Sequence, residues 1–372
     1  MSTPQQAAAA LFDELDALGA AAPPGASFDP AAIDRIEAAG LTGVSVPKEL
    51  GGNELPLLDV IDVWSELARA DGSIGWVAFA IDSAASYFGS YLGDDGAAEV
   101  FADGVPRLAG QFAPNGARAE DGDAWVVDGS YQFGSGLTIA ELAGCGFFAS
   151  PADGGDPGYR FGVLPVDQAQ IQGNWHVLGL QATQSVDYQL TGVRIPDRHT
   201  FDFFAPVCHR GSAMHRLGVL PLTAVGHAAW ALGVTRRLLD ELRTAVTRTR
   251  MGAASSIGES DHSLITIARL ESTYASGRAW VREASEQAEA ECAETGEFLS
   301  VSTSNLVRQA CVHVNQTGVD IAEEAYRLAG TVALRDGAFQ RAFRDLHAGG
   351  QHFFASNAAS IDWAKTLLEQ GT

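Results

Sequence analysis

YRLAGTVALRDGAFQRAFRDLHAGGQHFFAS, residues 326–356, opens on a glycine-interrupted turn at Ala329 and Gly330 and continues into a short basic run with Arg341, Arg344 and Asp345. A helix carrying His347 and His352 is expected to follow. Five residues of separation place the two histidines about 140° apart around a helix, so one can face a pocket while the other faces a neighbouring helix or solvent. Imidazole is the side chain that titrates nearest neutrality, which makes a pocket histidine a ready proton donor or acceptor. Taken alone, the segment reads as an ordinary polar helix; the elements upstream change that weighting.

Working outward, residues 217–250, 263–295, 302–328 and 339–369 read as long helices with short connections, the pattern of a four-helix bundle over residues 206–372. Residues 106–205 have a different texture. Short strand-like runs at 108–112, 124–127, 131–133, 144–149, 159–164, 170–175, 185–190 and 192–195 are separated by turn signals such as PNG, EDGD, DGS and DGGDPG. That spacing predicts a small antiparallel barrel or sandwich. Residues 1–105 read as a helical domain, with helices at 5–18, 30–39, 57–69 and 74–92 and a loop around Pro47 and the Gly51–Gly52 pair. The last of these helices is uncharged apart from Asp82 and belongs at the centre of its domain. The expected fold is α+β and mostly α: an N-terminal helical domain, a middle β-domain and a C-terminal bundle.

Composition narrows the function. The 372 residues carry 46 acids against 24 Lys and Arg, a formal charge of −22, which disfavours nucleic acid and anionic membranes as partners. Cys145, Cys208, Cys292 and Cys311 are widely spaced, with no zinc or disulfide pattern, and no metal site is expected. His209, Met214 and His215 have no accompanying carboxylate and read as a linker. Acids interrupt the apolar run at the N-terminus, so a signal peptide is not expected, and cytosol is the default compartment.

Five motifs, in order, resemble the acyl-CoA dehydrogenase fold, and within it the monooxygenases that use reduced flavin supplied by a separate reductase. They are VSVPKELGG with ELARADGSIGW (44–52, 66–76), GSYQFGSG (129–136), WHVLGLQATQSVDYQLTGVRIPDRHTF (175–201), RTRMG (248–252) and RDLHAGGQH (344–352). The departures favour the monooxygenase branch. Where the dehydrogenases hold a catalytic glutamate, about eight residues beyond the Arg–Asp pair, this chain has His352, Phe353 and Phe354, and GQFAPNGARAEDG (110–122) replaces another dehydrogenase motif.

The resemblance implies reduced FMN or FAD as a diffusible cofactor, O2, a C4a-hydroperoxyflavin, an aromatic or heteroaromatic substrate oxidised at C, N or S, and a homotetramer. An acyl-CoA dehydrogenase with a relocated base, or an inactive binding or assembly subunit, are the alternatives. The resemblance places Ser135 near flavin N5 and makes His352, with His347 behind it, the candidate for proton or hydrogen-bond work. Flavin contacts are expected from Gln111, Phe112, Ala113, Trp175, Gln181, Thr183 and Ser185, and from Arg248 reaching across a subunit boundary. Gln181 stands where the family has arginine, removing a positive charge from the cofactor site. Trp76, Phe79, Ser83 and Tyr87 recur every three to four residues and form, with Phe353, the candidate substrate face.

Overall fold

A computed structural model describes residues 2–23, 25–150, 158–249 and 255–370, with the side chains of residues 114–121 and 370 left undescribed. The first helix predicted from sequence is two, α1 (Pro4–Ala10) and α2 (Phe12–Ala21), divided at Leu11. Thr3 starts α1 with a capping box shared with Gln6. After α3 (Ala31–Ala38), the helices α4 (Leu57–Ala70) and α5 (Gly72–Tyr91) form the N-terminal core. Asp71 fixes where α5 begins, because its carboxylate accepts the amides of Ser73 and Ile74 at 3.0 and 3.1 Å. Nearly every side chain of α5 is buried, as a sequence uncharged apart from Asp82 requires. A short α6 (Asp94–Val100) leads into the sheet.

Seven strands form the sheet among the described residues: β1 (Leu108–Asp121), β2 (Ala124–Gly134), β3 (Leu142–Ser150), β4 (Gly158–Pro165), β5 (Gln170–Gln172), β6 (Val186–Pro196) and β7 (Thr200–Asp202), in the order β5-β6-β2-β1-β3-β4-β7. The sequence divides two of these strands wrongly. DGS (128–130) lies mid-strand, with Gly129 and Ser130 paired to Leu190 and Gln189 across a register shift after Val127, so the predicted turn is a bulge. Thr191 and Gly192 likewise lie inside β6, and PNG (114–116) lies inside β1 at the shift between Gln111 and Gly116. The pairing of β1 with β3 is parallel, a departure from the antiparallel expectation that strand composition alone does not signal. β7 is too short to have been read from sequence.

The bundle consists of α7 (Val219–Thr247), α8 (Asp261–Thr295), α9 (Val301–Ala329), α10 (Ala338–Gly349) and α11 (Ala358–Gln370). Ser260 and Ser300 cap α8 and α9, and Gly296 ends α8 in the left-handed region at φ 70°. The final helix predicted over 339–369 breaks at Gly349 and Gly350. A Cβ at Gly349 would collide with the indole of Trp230 on α7, so only glycine lets α10 end against that ring. His352 therefore leaves the helix. It sits in extended backbone (φ −68°, ψ 151°) at the start of a single 3-10 turn, Phe353–Ala355. His215, read as part of a linker, is buried. Its Nε2 lies 2.8 Å from the Ser45 carbonyl, its Nδ1 accepts the Ser212 amide at 2.9 Å, and burial lowers its pKa.

Candidate active site

α5, the end of β2, the turn at 178–185, the middle of α7 and the segment after α10 converge on one cluster of polar atoms and rings. Ser135 stands at its edge, between Gly134 and Gly136. The Trp76 indole N–H donates to Ser135 Oγ at 3.0 Å, and Ser135 Oγ lies 2.7 Å from Ser185 Oγ. Ser185 Oγ is 2.8 Å from Thr183 Oγ1, and Thr183 donates to the Leu180 carbonyl at 2.8 Å. Each hydroxyl has one hydrogen, so the direction of the chain is determined. Thr183 spends its hydrogen on Leu180, Ser185 must then donate to Thr183, and Ser135 must donate to Ser185. With the Trp76 N–H also received, Ser135 keeps one lone pair for an incoming N–H donor.

The turn that supplies Thr183 and Ser185 is held from outside. Leu180 and Gln184 are in left-handed backbone (φ 54° and 43°), sparsely populated for side-chain-bearing residues. Asp345 of α10 clamps the turn by accepting the Leu180 amide at 2.6 Å. Gly179 makes that approach possible, since a Cβ there would strike the Arg344 carbonyl. Burial, and next the neighbouring Asp71, push the Asp345 carboxyl up to about 7.

Beside the hydroxyls lies a box of rings. His352 sits 5.5 Å from Trp76 and 4.1 Å from His227, between ring centroids, and His227 lies 4.8 Å from Trp76, 5.0 Å from Phe79 and 5.2 Å from Phe354. Trp230 packs edge-on against Trp76 at 4.9 Å. Burial lowers His352 to about 4 and His227 well below its ordinary value, with His352 the second cause for His227. Both imidazoles are therefore neutral at pH 7. Nδ1 of His352 accepts the Phe354 amide at 3.4 Å, which leaves the hydrogen of the neutral ring on Nε2.

The structure thus brings together Ser135, Thr183, Ser185, Trp76, Phe79 and His352. The other sequence candidates stand as follows. Gln111 accepts the Ala113 amide at 3.0 Å and donates to the Gln132 carbonyl at 3.1 Å, at the bulge where β1 leaves its ladder, and Phe112 reaches Phe354 at 6.3 Å. Trp175 donates to the Leu180 carbonyl at 3.0 Å and meets Phe133 edge-on, while Gln181 bonds within its own turn to Val177 at 2.9 Å. Ser83 donates to Ala80 and Tyr87 shares a 2.6 Å hydrogen bond with Thr223, both on the continuation of the α5 face along α7.

His347 packs on Phe343 at 4.4 Å and makes no ring contact with the His352 cluster. Phe353 is 57% exposed, on the far side of Phe354. Arg248 is exposed at the end of α7, and the rest of RTRMG from residue 250 lies outside the described residues. His227 was not among the sequence candidates. Its signal was available: it is the one titratable residue in the run 219–235. A separate cleft of about 920 Å3 borders Glu37, Glu99, Arg107, Glu141 and His199; Arg107 is paired with Glu37 and His199 with Glu99, each at 2.8 Å, and no sequence candidate lines it.

An uncharged hydroxyl chain beside neutral imidazoles in an aromatic box suits a redox cofactor with N–H donors better than proton abstraction from carbon. The buried acids nearby, Asp82 and Asp345, already accept backbone amides of Ser45 and Leu180. The models "Acyl-CoA dehydrogenase, N-terminal domain" and "Acyl-CoA dehydrogenase, C-terminal domain" match residues 6–109 and 225–357. The chain belongs to the acyl-CoA dehydrogenase superfamily, in the branch of two-component flavin monooxygenase oxygenase components. It is 27% identical over 351 residues to indole-3-acetate monooxygenase of Pseudomonas putida, covering 90% of this chain and 87% of that one. With the p-hydroxyphenylacetate 3-hydroxylase oxygenase component of Acinetobacter baumannii it shares 24% identity over 337 residues, covering 87% and 78%. The TdsC protein of Paenibacillus sp. A11-2, solved with FMN and indole, superimposes with a TM-score of 0.82 at 18% identity, over 99% and 97% of the two chains.

Proposed function

We propose that this protein is the oxygenase component of a two-component monooxygenase, taking reduced FMN or FAD from a separate reductase and transferring one atom of O2 to an aromatic or heteroaromatic small molecule. Reduced flavin supplies two electrons. One oxygen atom enters the substrate at C, N or S, and the other leaves as water. The observation that carries this reading is the single lone pair left on Ser135 at the end of a fully directed hydroxyl chain, beside the Trp76 indole of the aromatic box.

The chain's own residues then have definable work. Ser135 accepts a hydrogen bond from an N–H of the bound ring system. The β1 bulge, with Gln111, Phe112 and Ala113, and the Trp175 side fit the edges of a flat heterocycle. Trp76, Phe79, Trp230 and Phe354 keep water from the reacting face. His352, neutral with its hydrogen on Nε2, donates a hydrogen bond rather than delivering a proton from a cation. Arg248 is the residue that would reach a neighbouring subunit in a homotetramer, and the compartment is the cytoplasm.

Incubation with reduced FMN, isotopically labelled O2 and indole tests the reading. One labelled atom per product molecule is expected; dye reduction driven by an acyl-CoA, without labelled product, contradicts it.

A further inference from the structure

His227 is 4% exposed, in the middle of α7, and no described residue hydrogen-bonds its ring nitrogens, which keep some access to solvent. Rings surround it: Trp76, Phe79, His352 and Phe354, with centroids 4.1 to 5.2 Å away. The ring nitrogens are not sealed from solvent, so a polar atom remains accessible inside a wall of rings, where phenylalanine would offer none. The polar ring is therefore placed for something that enters the box, and a neutral imidazole offers one acceptor nitrogen and one N–H.

We propose that His227 is the specificity-determining residue of this site, accepting a hydrogen bond from a ring-bound N–H or O–H of the aromatic substrate. The inference rests on the oxygenase reading of the site and adds the substrate class: arenes that carry a hydrogen-bond donor on the ring, such as phenols and indoles. Bare hydrocarbons and thia-arenes lack that donor. Three features support the assignment. His227 faces the same rings as His352, whose own Nδ1 is already taken by the Phe354 amide, so His227 is the imidazole with a free acceptor. Its neutral state is maintained by burial and by His352, and a cation could not accept. The surrounding aromatic faces suit a flat ring.

The test is calorimetric titration of the purified protein, without added flavin, with indole and with benzothiophene, which has the same shape but sulfur in place of N–H. Wild-type protein should bind indole about tenfold more tightly, the value of one neutral hydrogen bond. The preference should disappear in His227→Phe and be partly kept in His227→Asn, which retains an acceptor. Equal binding of the two ligands by wild type overturns the proposal whether or not the variants fold, as does an undiminished preference in a folded His227→Phe. Because the titration needs neither flavin nor oxygen, loss of labelled product with the ligand preference intact counts against the oxygenase reading alone, and the converse against His227 alone.

Discussion

Ser135 has a single hydrogen, and its neighbours determine where it goes. Replacing Ser135 with alanine removes the acceptor for an incoming N–H and also strips the Trp76 indole of its partner. The expected result is roughly a tenfold fall in product formed per O2 consumed, with a loss of about 1–3 kcal/mol of stability from the orphaned indole, read by product assay beside an oxygen electrode and by chemical denaturation. His352 yields a prediction with a definite sign. Its folded pKa is about 4 against an ordinary 6.5, so the unfolded chain takes the proton first. Its contribution to stability is complete above pH 6.5 and is lost as the pH falls toward 4. The wild-type melting temperature should therefore drop more steeply over that window than that of His352→Gln.

At this scale the sequence singled out part of the cluster. Ser135 and His352 stood out once the motifs were in order. His347 did not join the cluster because His352 lies off the helix, so the helical angle between them does not apply. His227 was hidden because a lone histidine in an apolar run is usually core, and only the convergence of α5, α7 and the 3-10 turn shows what it faces.

At the scale of elements, α10 acts on the site through the turn at 178–185. Asp345 accepts the Leu180 amide and so positions Thr183 and Ser185, which receive the Ser135 hydrogen. Asp345→Ala should cost about 1–3 kcal/mol and lower product yield per O2 without touching the reacting groups. Asp345→Asn keeps an acceptor. The folded pKa of Asp345 is raised from 3.8 to about 7, so its contribution is present at low pH and lost as pH rises through about 7. Between about pH 4 and 7 the wild type should lose melting temperature that Asp345→Asn retains. The helices were readable from sequence because their caps and apolar runs are local. The strands were not fully so: glycine and asparagine at 114–116 and 128–130 signal turns, yet here they mark bulges inside long strands, and the parallel β1–β3 pairing depends on chain topology. The break at Gly349 was equally invisible, since its cause is the Trp230 ring more than a hundred residues away.

At the scale of the molecule, ion pairs join the helical segments on either side of the sheet in sequence. Arg341 of α10 reaches Asp16 of α2 at 2.6 Å and Asp71 at 3.5 Å, and Arg237 of α7 meets Asp16 at 3.0 Å. The site therefore depends on all three parts of the chain being docked. No helix among the described residues is long and apolar enough to cross a membrane. Leu334, Phe353, Ile361 and Leu368 remain exposed, in keeping with the proposed homotetramer; sedimentation should give a species four times the 39.1 kDa chain.

The most direct measurement is rapid mixing of the protein, loaded with reduced FMN, against oxygenated buffer, with spectra recorded through the reaction. If Ser135, His352 and the ring box hold reduced flavin away from water as proposed, a long-lived species absorbing to the blue of oxidised flavin forms first. Oxidised flavin follows slowly, and the Ser135→Ala protein shortens that interval. Immediate appearance of oxidised flavin, in wild type and variant alike, contradicts the assignment of this cluster as an oxygenase site.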